Sequence, residues 1–591
     1  MSSAAVGLES RSTRATQGTG AFQFVLHSHL PYCRLAGRWP HGEEWIHEAL
    51  AETYIPLLNV LTDLYERGIR GKMTLSLSPV LVEQLSDPDV CANFVLYVDE
   101  EIEMASRDLA RFDHVEQPQL HYLASYYLSF YEEIKNSFVV RYQQDVISAL
   151  KKLQDAGCIE ISTCAATHGY LPLLSRDSSI YAQIRTAVAS YTRHFGRPPR
   201  AIWLPECAYR PARLEADGTT RPGIEAFLAA QGIGCFFVET ASVEKGRPGY
   251  RPRGAIGVGP YALAEKRFQA ESSESDASTL RAELSTDPGG STYQAYIVAE
   301  PDGSVTVPPV AVIGRNERTG MQVWSADWGY PGDADYREFH RKDAVSGLQY
   351  WRVTSPDADL GDKDTYHPDW AADKVSSHSL HFATLVEELL ADYRATTGEY
   401  GLISSNYDTE LFGHWWFEGV TWIGQVLEHL AESDSVDLTT TSEFLGTEGP
   451  RHALAIPEGS WGAGGTHWTW DNPDTHWMWA PIHEAERRME GLVARYPEAA
   501  GDLRDVLNQA ARELLLVQSS DWPFLVTTGQ AREYAVGRFH SHLERFEGLA
   551  GRLESGALAE ATVLAKEYYQ RDNVFPDMDY RWLAERQGRV A

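Results

Sequence analysis

The sequence contains few cysteines and no long apolar run. Its six cysteines, at positions 33, 91, 158, 164, 207 and 235, form no CxxC pair, which argues against a zinc knuckle. Several of them lie in apolar segments, a pattern that predicts reduced, buried thiols and a cytoplasmic protein. No apolar stretch reaches the ~18–20 residues needed to span a bilayer. Residues 1–20 lack the apolar core of a signal peptide and are predicted to be a disordered tail.

Basic charge is also scarce. Lysine and arginine number 52 against 83 acidic residues, giving a net charge of −31 at pH 7. Nucleic acids and anionic membranes would repel such a chain, so neither is an expected partner. A neutral polysaccharide is compatible with this charge, although solubility alone would also explain it. The oligomeric state stays open between a monomer and a small homo-oligomer.

Motifs for nucleotides and for serine hydrolases are missing as well. The chain has no P-loop, no complete GxGxxG and no GxSxG, so no nucleotide cofactor is expected and a nucleophile elbow is absent. The length of 591 residues suffices for a large core and more than one domain.

Short apolar runs alternate with helix-like segments along the first 425 residues. Near-continuous apolar strands between helices indicate a parallel sheet, and about seven such units favour an α/β fold of the (β/α)7 barrel type, a distorted relative of the TIM barrel. A doubly wound open sheet is the alternative. The predicted strands are Phe22–Leu26, Lys72–Leu77, Cys158–Thr163, Ala201–Leu204, Gly234–Val238, Val310–Ile313 and Gly401–Ser405.

The predicted domains follow from these runs. A catalytic barrel spans 21–425 and carries a helical insertion at 85–135 and a loop insertion at 240–308. The loop insertion includes a polar, low-complexity stretch at 271–278, expected to be mobile, and a predicted hairpin over 293–307. No strand is predicted beyond 425, where a Trp-rich loop and an all-helical C-terminal domain fill 426–591.

Two acidic residues follow predicted strands. Glu206 comes after strand 4 and Pro205, and Asp408 comes after strand 7. In a barrel, both would reach one mouth, where catalytic groups lie. Paired carboxylates cleave glycosidic bonds. The alternatives are a buried Glu206 paired with an arginine and an Asp408 that caps a helix, with Glu410 as the rival acid.

Histidines also fall at predicted strand ends. His27 and His29 lie two positions apart after strand 1, and His168 follows strand 3. They can donate hydrogen bonds to a sugar and to a carboxylate. With Asp408 they could instead bind a metal, as in a metal-dependent hydrolase or deacetylase.

Tryptophan is abundant, with 17 residues, and many lie in polar loops. Exposed indoles among Gly, Thr, His, Asp and Asn, as between Trp461 and Trp479, are typical of a sugar-binding groove. A protein interface is the alternative.

Five ordered segments together resemble glycoside hydrolase family 57 and, within it, the 1,4-α-glucan branching enzymes. They begin at His27, Thr167, Trp203, Ser405 and Ser519, and they read HSHLPY, THGYLPLL, WLPECAY, SNYDTELFGHWW and SSDWPF in that order. The resemblance implies a (β/α)7 barrel with a helical C-terminal domain and retaining chemistry without a metal or other cofactor.

The resemblance also implies roles for individual residues. Glu206 would be the nucleophile and Asp408 the general acid/base, about 5–5.5 Å apart. Residues expected to contact an amylose-like or glycogen-like substrate are His27, His29, His168, Trp324, Trp416, Trp461, Trp470 and Asp521. A loop tyrosine that favours transfer would be Tyr250 or Tyr261. An α-amylase or a 4-α-glucanotransferase on the same scaffold is the alternative activity.

Overall fold

The computed structural model describes residues 18–114, 117–216, 218–250, 280–325 and 328–586. The strands are β1 (Gly20–Ser28), β2 (Met73–Leu77), β3 (Ile159–Ser162), β4 (Ala201–Ile202), β5 (Arg213–Leu214), β6 (Thr220–Arg221), β7 (Cys235–Val238), β8 (Arg247–Tyr250), β9 (Leu280–Arg281), β10 (Ala295–Val298), β11 (Ser304–Val305), β12 (Ala311–Gly314), β13 (Gly401–Asp408), β14 (Val436–Leu438) and β15 (His452–Ala455). All seven predicted strands are present.

Helices follow most strands of the described residues and fill the C-terminal part of the chain. They are α1 (Glu43–Ala49), α2 (Ile55–Glu66), α3 (Pro79–Leu85), α4 (Pro88–His114), α5 (Pro118–Asn136), α6 (Val146–Asp155), α7 (Asp177–Phe195), α8 (Ile224–Ala230), α9 (Thr240–Glu244), α10 (Glu317–Trp324), α11 (Pro368–Thr397), α12 (Gly419–Glu432), α13 (Thr441–Thr447), α14 (His476–Arg495), α15 (Asp502–Val517), α16 (Asp521–Thr528), α17 (Arg532–Ser555) and α18 (Leu558–Arg571). The predicted helical insertion is the pair α4 and α5.

Seven parallel strands close into a ring. β13, β1, β2 and β3 pair in that order, and β4, β7 and β12 pair in a second sheet. A parallel bridge between Thr163 and Ile202 joins β3 to β4, and the Asn316 amide donates to the Ser404 carbonyl between β12 and β13. This closure confirms the (β/α)7 barrel and excludes the open doubly wound sheet.

Apolar side chains explain why the ring forms. All nine residues of β1 and all five of β2 are buried, as expected for strands covered on both faces. Val25, Trp203, Phe237, Ile313 and Leu402 belong to one apolar cluster drawn from different strands of the ring. The barrel is therefore filled by side chains and opens at the C-terminal strand ends.

Strand pairing beyond the ring corrects two sequence predictions. The predicted hairpin over 293–307 makes its turn, but β10 pairs with β12 and β15, while β11 pairs with β9. Strands also continue past residue 425, since β14 pairs with β1 and β15 pairs with β10 and β8. Both errors concern strands of two to four residues, whose partners the local sequence does not identify.

The C-terminal helices share a core with the barrel. Ile202 and Phe236 of the barrel strands lie in the same apolar cluster as Leu514 of α15 and Phe539 of α17. The C-terminal helices are thus packed against β4 and β7, and Glu206 lies in the turn after β4. Among the described residues, no helix combines the length and apolar character required to cross a membrane. All six cysteines are buried and unpaired with one another.

Candidate active site

Glu206 lies in a tight turn directly after β4. The turn Pro205–Cys207 is a 3₁₀ turn in which Glu206 has φ 62° and Cys207 has φ 50°, both in the left-handed region. Non-glycine residues adopt this region at a cost, and such strain concentrates at functional sites. The turn redirects the chain at the strand end and presents a largely buried carboxylate to the barrel mouth.

Two neutral donors hold the Glu206 carboxylate. The Trp461 indole N–H donates to Oε2 at 2.7 Å, and the Ser520 hydroxyl donates to Oε1 at 3.0 Å. The Trp461 amide also donates to the Glu206 carbonyl at 3.1 Å. No arginine is among these partners, so Glu206 does not form the structural Glu–Arg pair that the sequence left as an alternative. Burial raises the pKa of Glu206, while both donors and nearby His29 oppose that rise.

His27 and His168 belong to a hydrogen-bonded chain that ends at Glu206. Burial keeps the pKa of both imidazoles well below the ordinary value, so both are neutral. His168 Nδ1 lies 2.7 Å from Ser520 Oγ, and His168 Nε2 lies 3.0 Å from His27 Nε2. At the other end of the chain, His27 Nδ1 lies 3.2 Å from Ser76 Oγ. The two imidazoles thus connect Ser76 of β2 to Ser520, which donates to Glu206.

His29 differs from these two histidines because it meets carboxylates. Its Nε2 lies 3.0 Å from Asp521 Oδ1, its Nδ1 lies 2.9 Å from Ser78 Oγ, and its ring stacks on His168 at 3.8 Å between centroids. Burial opposes the charge, but Asp521 together with Glu206 and Glu410 raises the pKa of His29. A protonated His29 would stabilise an ionised Glu206.

Asp408 is the last residue of β13 and pairs in register with His27 of β1. It precedes a 3₁₀ turn, but its side chain makes no capping hydrogen bond, so the helix-cap alternative fails. Burial, Glu410 and Glu206 raise the pKa of Asp408 well above the ordinary value, against the effect of Arg315. Because the charge of Glu206 acts on Asp408, the two acids share one cleft. The 5–5.5 Å separation expected for retention stays a prediction.

Only some of the other predicted substrate residues contact the residues around Glu206. Trp461 contacts Glu206, and Asp521 contacts His29, as described above. Trp324 is partly exposed at the end of α10, the helix that follows β12. Tyr250 is exposed at the end of β8, where its described ring contact is with His452. Tyr261 and the low-complexity stretch 271–278 lie outside the described residues, as do residues 1–17 of the predicted tail.

Two of the predicted tryptophans are buried instead of open to a sugar. Trp416 is packed among aromatic rings that include Tyr336 and Trp422. Trp470 stacks on Tyr170 with 4.5 Å between ring centroids, and its carbonyl accepts from the Trp479 indole. Each is 1 % exposed. This corrects the expectation of an open stacking face at both positions, because the number of indoles in a loop does not reveal which way each ring points.

Metal binding by the histidines was the main alternative. Two clusters have suitable spacing, namely His27 with Cys164 and His168, and His29 with His168 and Asp521. However, both ring nitrogens of each histidine already have a hydrogen-bond partner. A metal would have to displace these partners, so the donor set fits a hydrogen-bonded site better than a metal centre.

Sequence reasoning missed three residues of the site. Ser520 is the donor that connects His168 to Glu206, Tyr54 binds Glu410, and Arg315 acts on Asp408. Ser520 lies inside the segment that begins at Ser519, so that motif was an available signal. Nothing in the local sequence marks Tyr54 or Arg315.

The geometry agrees with comparisons to known proteins. The profile of glycosyl hydrolase family 57 matches residues 23–457, and the profile described as 1,4-alpha-glucan branching enzyme, C-terminal, matches residues 481–583. The chain belongs to glycosyl hydrolase family 57. Its membership accounts for both the closed barrel and the helices packed beside Glu206.

Three proteins are similar to this chain over nearly its whole length. The 1,4-alpha-glucan branching enzyme TK1436 of Thermococcus kodakarensis is 42% identical over 94% of this chain and 77% of its own length. The crystal structure of a GH57-type branching enzyme from Pyrococcus horikoshii has a TM-score of 0.81 at 39% identity, covering 97% of this chain and 98% of that one. The alpha-amylase AmyC from Thermotoga maritima has a TM-score of 0.78 at 30% identity, covering 96% and 99%.

Proposed function

We propose that this chain is a 1,4-α-glucan branching enzyme in which Glu206 is the nucleophile and Asp408 the general acid/base. The observation that carries the assignment is the contrast between their surroundings. Glu206 is held by two hydrogen-bond donors, whereas Asp408 is buried beside two other carboxylates. Environments that separate two carboxyl groups in this way separate their roles as well.

The first half-reaction follows from this contrast. An ionised Glu206 attacks the anomeric carbon of an α-1,4-glucan, and Asp408 gives its proton to the leaving glycosidic oxygen. The covalent intermediate carries the transferred chain on Glu206. Trp461 and Ser520 stabilise the charge that Glu206 carries before the attack and regains when the intermediate breaks down.

The second half-reaction decides between branching and hydrolysis. Asp408, now a carboxylate, takes the proton of the acceptor, and the acceptor oxygen attacks the anomeric carbon from the face that the leaving group vacated. If the acceptor is the 6-hydroxyl of another glucan, an α-1,6 branch forms with net retention. If it is water, the product is a reducing end. Selectivity therefore depends on positioning the sugar and excluding water.

An α-amylase is the second candidate, because AmyC of Thermotoga maritima shares the same architecture. Support for branching over hydrolysis comes from the matched C-terminal branching-enzyme profile and from the higher identity to TK1436. The cytoplasmic location predicted from the composition, and the choice between a monomer and a small homo-oligomer, stay predictions.

Incubation with amylose separates the candidates. Branching should create α-1,6 linkages, counted after debranching or by linkage analysis, with little gain in reducing ends. The Glu206→Gln protein, treated identically, is the control for contaminating activity. Reducing ends in excess of new α-1,6 linkages would make the chain an amylase and refute the proposed transfer.

A further inference from the structure

A third carboxylate, Glu410, lies in the cleft two residues after Asp408. The 3₁₀ turn Thr409–Leu411 folds the chain back at the end of β13, and Thr409 Oγ1 lies 2.8 Å from Ser28 Oγ at the end of β1. Glu410 is 9 % exposed. Burying a carboxylate to this extent costs free energy of folding unless hydrogen bonds or an opposite charge compensate it.

Two donors from different parts of the fold fix the Glu410 side chain. The His29 backbone amide donates to Oε1 at 3.1 Å, and the Tyr54 hydroxyl donates to the same oxygen. Tyr54 ends the π-helical turn Leu50–Tyr54, which separates α1 from α2. Such wide turns are rare and often occur at functional sites. Both groups require a hydrogen-bond acceptor at this position. An amide oxygen in place of the carboxylate oxygen could still receive both hydrogen bonds.

Glu410 acts electrostatically on the residues of the mechanism. After burial, it is the largest influence that raises the pKa of Asp408, ahead of Glu206, whereas Arg315 acts in the opposite direction. On its other side Glu410 contributes to the raised pKa of His29. The charged or titratable groups that face Asp408 and Glu410 are thus Glu206, Arg315, His29 and Tyr54.

We propose that Glu410 is a positioning residue for the transfer reaction, whose negative charge, held in place beside Asp408 by two hydrogen-bond donors, keeps the proton on Asp408. The proposal rests on the assignment of Asp408 as general acid/base. In the first half-reaction the charge keeps Asp408 protonated until the leaving oxygen takes the proton. In the second half-reaction it makes Asp408 a stronger base toward the acceptor 6-hydroxyl. Glu410 itself touches neither the substrate nor the bond that breaks.

The pH range of this effect is defined by Glu410 itself. Burial raises its pKa to about 7, against the donors Tyr54 and His29. Glu410 is therefore charged above about pH 7, where Asp408 would otherwise lose its proton. At acidic pH Glu410 is protonated and Asp408 keeps its proton without help. The charge thus supports the alkaline limb of the pH–rate profile and not the acidic limb.

Glu410→Gln tests the proposal because the amide oxygen can still accept from His29 and Tyr54 while the charge is lost. The rate on amylose, followed from pH 4 to 10, should show an alkaline limb that moves about 1 pH unit toward lower pH. The acidic limb should stay in place. A merely structural role would lower the rate at every pH and move neither limb.

Glu418 offers a matched control. Its Oε1 also accepts from one backbone amide, that of Arg337 at 3.0 Å, and from one tyrosine hydroxyl, that of Tyr366 at 2.6 Å. It is similarly buried but is not among the charges that act on Asp408. Glu418→Gln should leave both limbs in place, whatever it does to stability. Glu410→Asp should keep the alkaline limb nearer the wild-type position, because the charge remains.

Tyr54→Phe is a second route if the glutamine protein fails to fold. Loss of one donor raises the pKa of Glu410, so part of its charge is lost near pH 8 and the alkaline limb should move in the same direction by less. The proposal is overturned if neither Glu410→Gln nor Tyr54→Phe moves this limb, or if Glu418→Gln moves it equally. Full turnover in Asp408→Asn would instead refute the acid/base assignment itself, which distinguishes the two failures.

Discussion

Glu206 follows strand β4 and Asp408 ends strand β13, yet the two carboxylates have different neighbours. On the Glu206 side, an indole N–H and a serine hydroxyl donate to the carboxylate, and the serine is itself hydrogen-bonded to a pair of neutral histidines. On the Asp408 side, Glu410 and Glu206 add negative charge, and Arg315 offsets only part of it. A group surrounded by donors retains its charge, and a group surrounded by charge of its own sign retains its proton.

The largest effect should come from removing either acid, and the choice of substrate should separate their roles. Glu206→Gln should reduce turnover by ~10⁴–10⁶-fold on every substrate, because no nucleophile remains. Asp408→Asn should lose about 10²–10⁴-fold on amylose. In the first turnover on an α-glucosyl fluoride it should lose much less, because fluoride leaves without a proton. Single-turnover rates of both variants on both substrates provide the measurement, and equal losses for Asp408→Asn on the two would contradict its role as acid.

A smaller effect is expected when one donor to Glu206 is removed. Trp461→Phe keeps the ring but deletes the N–H at 2.7 Å from Oε2. The rate should fall about tenfold, and the acidic limb of the pH–rate profile should move to higher pH because the pKa of Glu206 rises. Trp477→Phe is the control, since its indole donates to the Asp474 carbonyl instead. A lower rate with an unmoved acidic limb would show that the N–H does not hold the charge of Glu206.

The contrast also predicts how stability responds to pH. The pKa of Glu410 rises from 4.5 to about 7 in the folded chain, so its stabilising effect is full below pH 4.5 and is lost as pH rises to 7. That rise corresponds to about 3 kcal/mol at about 1.4 kcal/mol for each pH unit. Glu410→Gln should therefore gain in unfolding temperature relative to wild type between pH 5 and pH 8. Thermal unfolding at both pH values measures the difference, and an offset that is the same at both would contradict it.

The smallest effect, none, is expected from chelators. If His27, His29 and His168 serve as hydrogen-bond partners, dialysis against EDTA should leave the rate on amylose unchanged, and added zinc should not increase it. The wild-type protein dialysed without chelator is the control. Activity lost with EDTA and restored by zinc would replace the donor description of this side of the cleft with a metal centre.

Sequence patterns predicted the framework of the fold well and its cross-connections poorly. All seven ring strands were predicted, because strands buried on both faces have near-continuous apolar sequences, as in β1. The two-residue strand β11 has no such signal, and its sequence does not show that β9 is its partner. The local sequence therefore predicted that the segments on either side of the turn pair with each other, whereas each pairs with another strand.

The candidate site shows the same division. Glu206 and Asp408 were found because an acid after a parallel strand has a defined place in a barrel. Which partner each acid meets depends on residues far away in sequence, such as Ser520 for Glu206, which no local pattern reveals. Aromatic content was misleading for Trp416 and Trp470, because composition does not distinguish an exposed indole from a buried one.

The helical domain contributes Ser520 and Asp521 to a site whose acids both belong to the barrel. This has a consequence for the order in which the protein is made. A ribosome completes the seven strands and both acids by residue 408, but Ser520, which donates to Glu206, and Asp521, which pairs with His29, are synthesised more than a hundred residues later. A growing chain would thus carry the nucleophile without its full set of hydrogen-bond partners for much of translation. Glucan transfer becomes possible only after nearly the whole message has been read.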